Sequence, residues 1–123
     1  METKISTGGA DGSAGDPYCL FGSDHPGMPL TSKVFNGLNY PSWSKSVRMA
    51  LGAKYKLGFV DRSLPKPTEG TLELQKWLRC DYMVRCWILN SISSEIAESF
   101  MYVQSAQELW EELAERFGEA NGP

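Results

Sequence analysis

The stretch Trp77-Leu-Arg-Cys-Asp-Tyr-Met-Val-Arg-Cys-Trp-Ile-Leu-Asn-Ser-Ile92 has no Gly or Pro and is long enough for about four helical turns. At about 100° per residue its main apolar stripe consists of Trp77, Cys80, Val84, Trp87, Ile88 and Ser91. A second stripe, about a third of a turn away, consists of Leu78, Tyr82 and Leu89. A helix that is apolar on so much of its circumference must be covered from more than one side. We therefore predict that it is the central helix of a small all-α domain.

Composition places the chain among soluble intracellular proteins. Its 123 residues, 41% hydrophobic and 22% charged, suffice for one domain with one modest core. The three cysteines and the single histidine, His25, fit neither a disulfide framework nor a zinc site, which favours a reducing compartment. The sequence has no signal-peptide pattern and no run near the roughly 20 apolar residues of a membrane span. We therefore expect a cytoplasmic protein without membrane contact.

Charge is distributed unevenly along the chain. The net charge is −3, but residues 33–85 hold ten Lys or Arg against four Asp or Glu, whereas residues 86–123 hold one Arg against seven Glu. A net charge of +6 in the middle and −6 at the end favours head-to-tail attraction between copies of the chain. Two ordinary solvated faces would give the same pattern, and that alternative stays open.

A basic patch is predicted from four residues that alternate with Trp43 and Tyr55, namely Lys45, Arg48, Lys54 and Lys56. Basic residues interleaved with aromatic residues are typical of nucleic-acid contact. Trp43 falls on the core stripe of its helix, however, and the whole chain is acidic. Direct RNA binding is therefore the minority interpretation of this segment.

The N-terminal quarter of the chain is predicted to be irregular. Residues 1–16 are small, polar and glycine-rich, and we expect a disordered tail because they cannot bury enough apolar surface to offset chain entropy. Residues 16–30 contain three prolines and two glycines, which forbid a regular helix. They also carry five large apolar side chains, so we expect an extended, ordered arm that lies across the helical core.

The two longest predicted helices have clear start signals. The first begins at about Tyr40, with Pro41 in its first turn, and ends at a Gly58 cap. Thr71 is the predicted cap of the central helix, which we expect to span residues 72–92. Together with two shorter helices they make a small bundle of about four helices.

Local signals also define the rest of the bundle. A short third helix is predicted over residues 95–102, and Ser105 with Glu108 forms a capping box for the fourth. The apolar face of the fourth helix consists of Ala106, Leu109, Trp110, Leu113 and Phe117. Asp81 and Arg85, four residues apart on the central helix, are in the favourable order for an exposed ion pair.

No catalytic, cofactor-binding or metal-binding residue is predicted. The glycines of the tail follow no strand and precede no Lys-Ser or Lys-Thr of a phosphate-binding loop. No Ser or Cys lies in a nucleophile elbow with a histidine partner, and the acidic residues of the last helix lack metal-ligand spacing. We expect a non-enzymatic protein without a cofactor or a small-molecule substrate. Its candidate core and interaction residues are aromatic, namely Tyr40, Trp43, Trp77, Trp87, Trp110 and Phe117.

Five motifs follow one another along the chain. They are Asp-Pro-Tyr-Cys-Leu with Ser-Asp-His-Pro-Gly (16–27), Phe-Asn-Gly-Leu-Asn-Tyr-Pro-Ser-Trp (35–43), Ala-Leu-Gly-Ala-Lys-Tyr-Lys-Leu-Gly-Phe (50–59), the tryptophan block (77–91) and Ala-Gln-Glu-Leu-Trp-Glu-Glu-Leu-Ala-Glu-Arg-Phe (106–117). In this order they resemble the N-terminal part of the Gag region of copia-type LTR retrotransposons, which are abundant in plant genomes. The resemblance makes residues 17–123 one copia-type Gag N-terminal domain.

The resemblance implies a capsid-type helical domain that helps to build a particle around retrotransposon RNA. Its partners would be copies of itself or other Gag chains. Family members continue with further helices and usually a zinc knuckle, so the resemblance also implies a chain that is truncated at its C-terminus and reaches RNA only through the missing region. Three alternatives stay open: a host-retained module that binds another protein, a direct RNA binder, and a relic without function.

Overall fold

The computed structural model describes residues 15–118 as helices arranged around the predicted central helix. In chain order they are α1 (Tyr40–Ala53), a 3₁₀ turn (Leu57–Phe59), α2 (Leu72–Leu89), α3 (Ser94–Glu98), α4 (Ala106–Leu113) and a π-helical turn (Ala114–Gly118). Between residues 15 and 118 no strand forms, and one isolated parallel bridge joins Phe35 to Ile92. The predicted all-α class with about four helices is confirmed.

Helix α2 begins where the sequence predicts it, because a side chain caps its first turn. Thr71 Oγ1 accepts a hydrogen bond from the backbone N–H of Leu74 at 3.1 Å. The helix ends at Leu89, before the predicted end. The residues that follow pair instead with an extended segment, since the N–H of Phe35 donates to the carbonyl of Ser91 at 2.9 Å.

Helix α1 ends at Ala53, so the predicted end at Gly58 is wrong. The chain leaves the helix at Tyr55, whose φ of 59° lies in the left-handed region. The N–H of Lys56 donates to the carbonyl of Leu51 at 2.8 Å, and the N–H of Tyr55 donates to the carbonyl of Gly52 at 3.1 Å. These two bonds are those of a Schellman cap, in which a tyrosine occupies the position that usually holds glycine.

Gly58 is required for a close approach instead. A Cβ at this position would lie 3.0 Å from the Cβ of Leu64 and 3.0 Å from the Oγ of Ser63. Its missing side chain lets the connector between α1 and α2 fold back against the 3₁₀ turn. The predicted cap at Gly58 is therefore wrong, and the constraint on this glycine is steric and comes from residues further along the chain.

The C-terminal half departs from the prediction mainly in α3. This helix covers only Ser94–Glu98, whereas residues 95–102 were predicted to be helical. Phe100 lies beyond it and is 1% exposed. The fourth helix starts as predicted, since Ser105 Oγ accepts the N–H of Glu108 at 3.0 Å, although the Glu108 carboxylate bonds to the N–H of Gln104.

The core is one cluster to which α1, α2 and α4 all contribute. The Trp43 ring of α1 lies 5.7 Å from the Trp110 ring of α4 and 5.1 Å from Phe35. Five of the six aromatic residues singled out from the sequence are buried and Phe117 is half-buried. Their exposures are 9% for Tyr40, 2% for Trp43, 6% for Trp77, 0% for Trp87 and 8% for Trp110. The five buried side chains are therefore part of the core, and Phe117 packs against it.

The predicted arm lies across α2, and side chains of α2 bind its backbone carbonyls. Trp87 Nε1 donates to the carbonyl of His25 at 2.8 Å. Asn90 Nδ2 donates to the carbonyl of Pro26 at 2.6 Å. The half-buried apolar side chains of the arm that pack against the core are Tyr18, Leu20, Met28 and Leu30. A segment too rich in proline for a helix is thus ordered by hydrogen bonds from another element.

The boundary between tail and arm differs slightly from the prediction. Asp16 already belongs to the arm, because its Oδ1 accepts the N–H of Tyr18 at 2.9 Å. The rest of the predicted tail, residues 1–14, lies outside the described residues.

Replacing Tyr55 with glycine should stabilise the fold. A residue with a side chain in the left-handed region costs about 1–2 kcal/mol, and the Tyr55 side chain is 52% exposed, so little packing is lost. Glycine also has more conformational entropy than tyrosine in the unfolded chain, and this offsets part of the stabilisation. We expect the free energy of unfolding to rise by about 0.5–1 kcal/mol, measured by chemical denaturation.

The matched control is Met49→Gly, an exposed position inside α1. There glycine only loses helix propensity, and the free energy of unfolding should fall by about 1 kcal/mol. A similar decrease in the free energy of unfolding in both variants would contradict the cap at Tyr55.

Candidate interaction surfaces

The four residues of the predicted basic patch do not share one surface. Lys45 and Arg48 are exposed on α1. Lys54 Nζ lies 2.8 Å from Asp24 Oδ1 of the arm, and Lys56 is 1% exposed. The patch is therefore corrected to two exposed cations, because the arm occupies the other two.

The buried Lys56 ammonium is bound by backbone oxygens. Its Nζ donates to the carbonyl of Cys19 at 2.6 Å and to that of Lys54 at 3.2 Å. Burial lowers the pKa of Lys56 below its ordinary value, although the nearby Cys80 and Asp24 act in the opposite direction. This lysine connects the arm to the end of α1, and its role is structural.

Stability should depend on pH through Lys56. Between its lowered pKa and its ordinary value of 10.5, Lys56 holds fewer protons in the folded than in the unfolded state. Its contribution to stability therefore grows as pH rises through that interval. From about pH 7 to about pH 10, the difference in free energy of unfolding between the wild type and Lys56→Met should shift in favour of the wild type. Chemical denaturation at several pH values measures it.

The control is Lys45→Met, which removes an exposed lysine. It shows how the loss of one exposed positive charge by itself changes the stability difference over the same pH range. If the difference for Lys56→Met followed that for Lys45→Met, the buried ammonium would be refuted.

A second buried charge joins α2 to α4. Asp81 is 0% exposed; its Oδ1 accepts the N–H of Ala106, the first residue of α4, at 2.9 Å. Its Oδ2 accepts Arg85 Nε at 3.0 Å, and Arg85 Nη1 donates to the carbonyl of Val103 at 3.1 Å. Burial raises the pKa of the Asp81 carboxyl, even though the Ala106 N–H and Arg85 favour the ionised form. The predicted Asp81–Arg85 pair forms, and through the buried Asp81 carboxylate it also connects α2 to α4.

The coupling between Asp81 and Arg85 should be large. Asp81→Ala leaves a buried N–H and a guanidinium without their acceptor, and we expect a loss of about 3 kcal/mol in the free energy of unfolding. In a double-mutant cycle with Arg85→Ala, measured by chemical denaturation, the coupling should be about 1–3 kcal/mol.

The chain contains a matched control for this cycle. Arg62 Nε lies 2.8 Å from Glu111 Oε2, but their side chains are 69% and 42% exposed. Their cycle should give a coupling of at most about 1 kcal/mol. Equal coupling energies for the two pairs would show that the burial of Asp81 does not strengthen its interaction with Arg85.

The acidic face of α4 is also engaged within the chain. Glu111 binds Arg62, and Glu112 Oε1 accepts the hydroxyl of Tyr102 at 2.6 Å. Glu108 binds a backbone N–H, as described above. Three of the acidic side chains that favoured head-to-tail attraction are therefore engaged in internal contacts.

The second apolar stripe of α2 is open. It forms a depression of about 420 Å³ against Pro26 of the arm, lined by Gln75, Leu78, Arg79, Tyr82, Met83 and Cys86. Beyond Pro26 and Cys86 a second depression of about 590 Å³ continues between α2 and α3, with Leu89, Ala97, Glu98 and Met101 in its wall. We call these two adjoining depressions the α2 groove.

The sequence indicated part of this surface. Leu78, Tyr82 and Leu89 were recognised as a second stripe, but Met83 and Cys86 were not. Cys86 follows Tyr82 by four residues and Met83 by three, and helical residues at these spacings are neighbours on one face. The same periodicity that defined the stripe would therefore have added both residues to it.

Cysteines and other residue types that can bind metal ions occur in the described part of the chain. Among residues 15–118 no group of three or more His, Cys, Asp or Glu side chains could hold a metal ion. Cys19 and Cys80 are buried free thiols, and Cys86 is a half-buried one. Burial raises the pKa of the Cys80 thiol, which disfavours the reactive thiolate. None of the helices described here is long and apolar enough to cross a membrane.

These features define a small all-α domain whose buried polar groups connect its elements and which carries an open apolar groove along α2. Residues 21–68 match the family described as Gag-polypeptide of LTR copia-type, which confirms the predicted resemblance and supports a copia-type Gag domain in this part of the chain. The match covers most of the arm, α1 and the 3₁₀ turn, and it ends before α2. It supports a retrotransposon Gag-like role, in a family that is generally structural. Comparisons with curated proteins and with solved structures find no match.

Proposed function

We propose that this chain is a non-enzymatic Gag-like structural domain that associates with copies of itself and thereby contributes to a capsid or particle. The family match supports the Gag-like role. The observation that carries the self-association is the α2 groove, an apolar surface along the longest helix of the described chain. Contiguous exposed apolar surface of this kind marks interaction sites in soluble proteins.

The side chains of the α2 groove suit a protein contact. Tyr82 is 56% exposed and Met101 is 66% exposed. Aromatic and methionine side chains are enriched at protein interfaces, and methionine adapts its shape to the surface that it meets. Covering them would be favourable by about 25 cal/mol for each Å² of apolar surface removed from water.

Direct RNA binding has less support. Affinity for nucleic acid depends on several cations that displace counterions from the phosphates. Of the four predicted patch residues only Lys45 and Arg48 are exposed and outside the arm contacts.

The apparent mass of the purified chain in solution tests the proposal. From micromolar to millimolar concentration it should rise above the 13.7 kDa of the monomer, as measured by sedimentation equilibrium. Because burial of apolar surface is the main driving force, association should persist at about 1 M salt, where the screening length is about 3 Å. A mass that stays at 13.7 kDa throughout would contradict the proposal.

Two further measurements separate the alternatives. A gel shift of RNA at low salt, with a monomeric protein, would favour the RNA-binding alternative. Saturable binding to one host protein, again with a monomeric chain, would favour the interaction module.

A further inference from the structure

We infer that two copies of this chain associate through the α2 groove in an antiparallel arrangement, with a two-fold axis near Cys86. This inference rests on the proposed function, because it names the surface and the symmetry of the self-association. Three features of the groove support it: its straight course, the opposite charges at its ends and the position of its one cysteine.

The groove runs straight along α2. Its α2 residues follow one another at intervals of three and four, from Gln75 through Leu78, Tyr82 and Cys86 to Leu89. At 1.5 Å per residue this stripe is roughly 20 Å long. A straight apolar stripe of this length is matched well by another helix laid along it.

The two ends of the groove carry opposite charges. Arg79 lines the depression toward the start of α2, and Glu98 lines the depression next to α3. Neither side chain forms an ion pair with any other residue between 15 and 118. Both charges are therefore available to a partner.

These charges favour a second copy in one particular orientation. If two grooves face each other antiparallel, Arg79 of each copy lies beside Glu98 of the other, so one charge pair forms twice. In a parallel arrangement like charges would meet at both ends, which is unfavourable. A surface that complements itself under a two-fold rotation is what an isologous dimer requires.

Cys86 lies where the two depressions adjoin and therefore close to the proposed axis. It is half-buried, whereas Cys19 and Cys80 are buried. A thiol reagent such as iodoacetamide should thus react first with Cys86 in the native protein. Its rate of alkylation reports directly whether the groove is covered.

Charge reversal tests the orientation. Arg79→Glu and Glu98→Arg each place like charges at both ends of the antiparallel pair, and each should weaken self-association by at least about tenfold. When these two variants are mixed, every contact is again between opposite charges. The mixture should therefore form a heterodimer with nearly wild-type affinity, measured by sedimentation equilibrium.

Matched controls and the Cys86 rate complete the test. Lys45→Glu and Glu69→Arg change the same charges at exposed positions outside the groove, and they should leave association unchanged. Alkylation of Cys86 should slow as wild-type concentration rises, but not for Arg79→Glu alone. At a concentration low enough for every chain to be monomeric, thermal melting of all four variants should match the wild type, because every substituted side chain is exposed.

The possible failures are distinguishable. Wild-type oligomers that are insensitive to Arg79→Glu and Glu98→Arg, with a constant Cys86 rate, would overturn this inference and leave the proposed function standing. Variants that weaken association but do not restore it on mixing would overturn the antiparallel pairing. A wild type that remains monomeric would overturn both proposals.

Discussion

The described fold depends on the buried polar contacts of Ser91, just after the end of α2. Its carbonyl accepts the N–H of Phe35 at 2.9 Å and the Nε1 of Trp43 at 2.8 Å. Its hydroxyl accepts the N–H of Leu30 at 2.7 Å and donates to the carbonyl of Trp87 at 2.9 Å. The arm, the segment before α1 and α1 itself are thus positioned by one residue that is 0% exposed. Since each group would be costly if buried without a partner, these contacts also exclude other placements of the arm.

The tryptophans also position the irregular parts of the chain through buried hydrogen bonds. Trp87 Nε1 binds the carbonyl of His25 in the arm, and Trp77 Nε1 binds the carbonyl of Leu64 in the connector at 2.9 Å. Each ring fills the core while its N–H satisfies a backbone oxygen of a segment that has no helix or sheet partner. Aromatic residues thereby take the place of regular secondary structure in positioning the arm and the connector between α1 and α2.

Charged side chains that are paired inside the molecule are not available to a partner. Lys54, Arg62 and Arg85 form ion pairs within the described chain, and Lys56 binds backbone carbonyls. The copia-type match covers the arm and α1, which close one side of α2. The opposite stripe of α2 stays open, and it combines apolar side chains with a cation and an anion at its two ends.

Local chemistry in the sequence was enough to predict the helical class, the caps at Thr71 and Ser105 and the irregular arm. Each of these features depends on residues that are close together in the chain. Periodicity also identified both apolar stripes of α2. It could not show that α1 ends at Ala53 with Tyr55 in the left-handed region, or that Asp81 and Lys56 are buried. Those features, and the choice of which stripe stays open, follow from contacts between residues far apart in sequence, and a repeat along one helix carries no information about its neighbours.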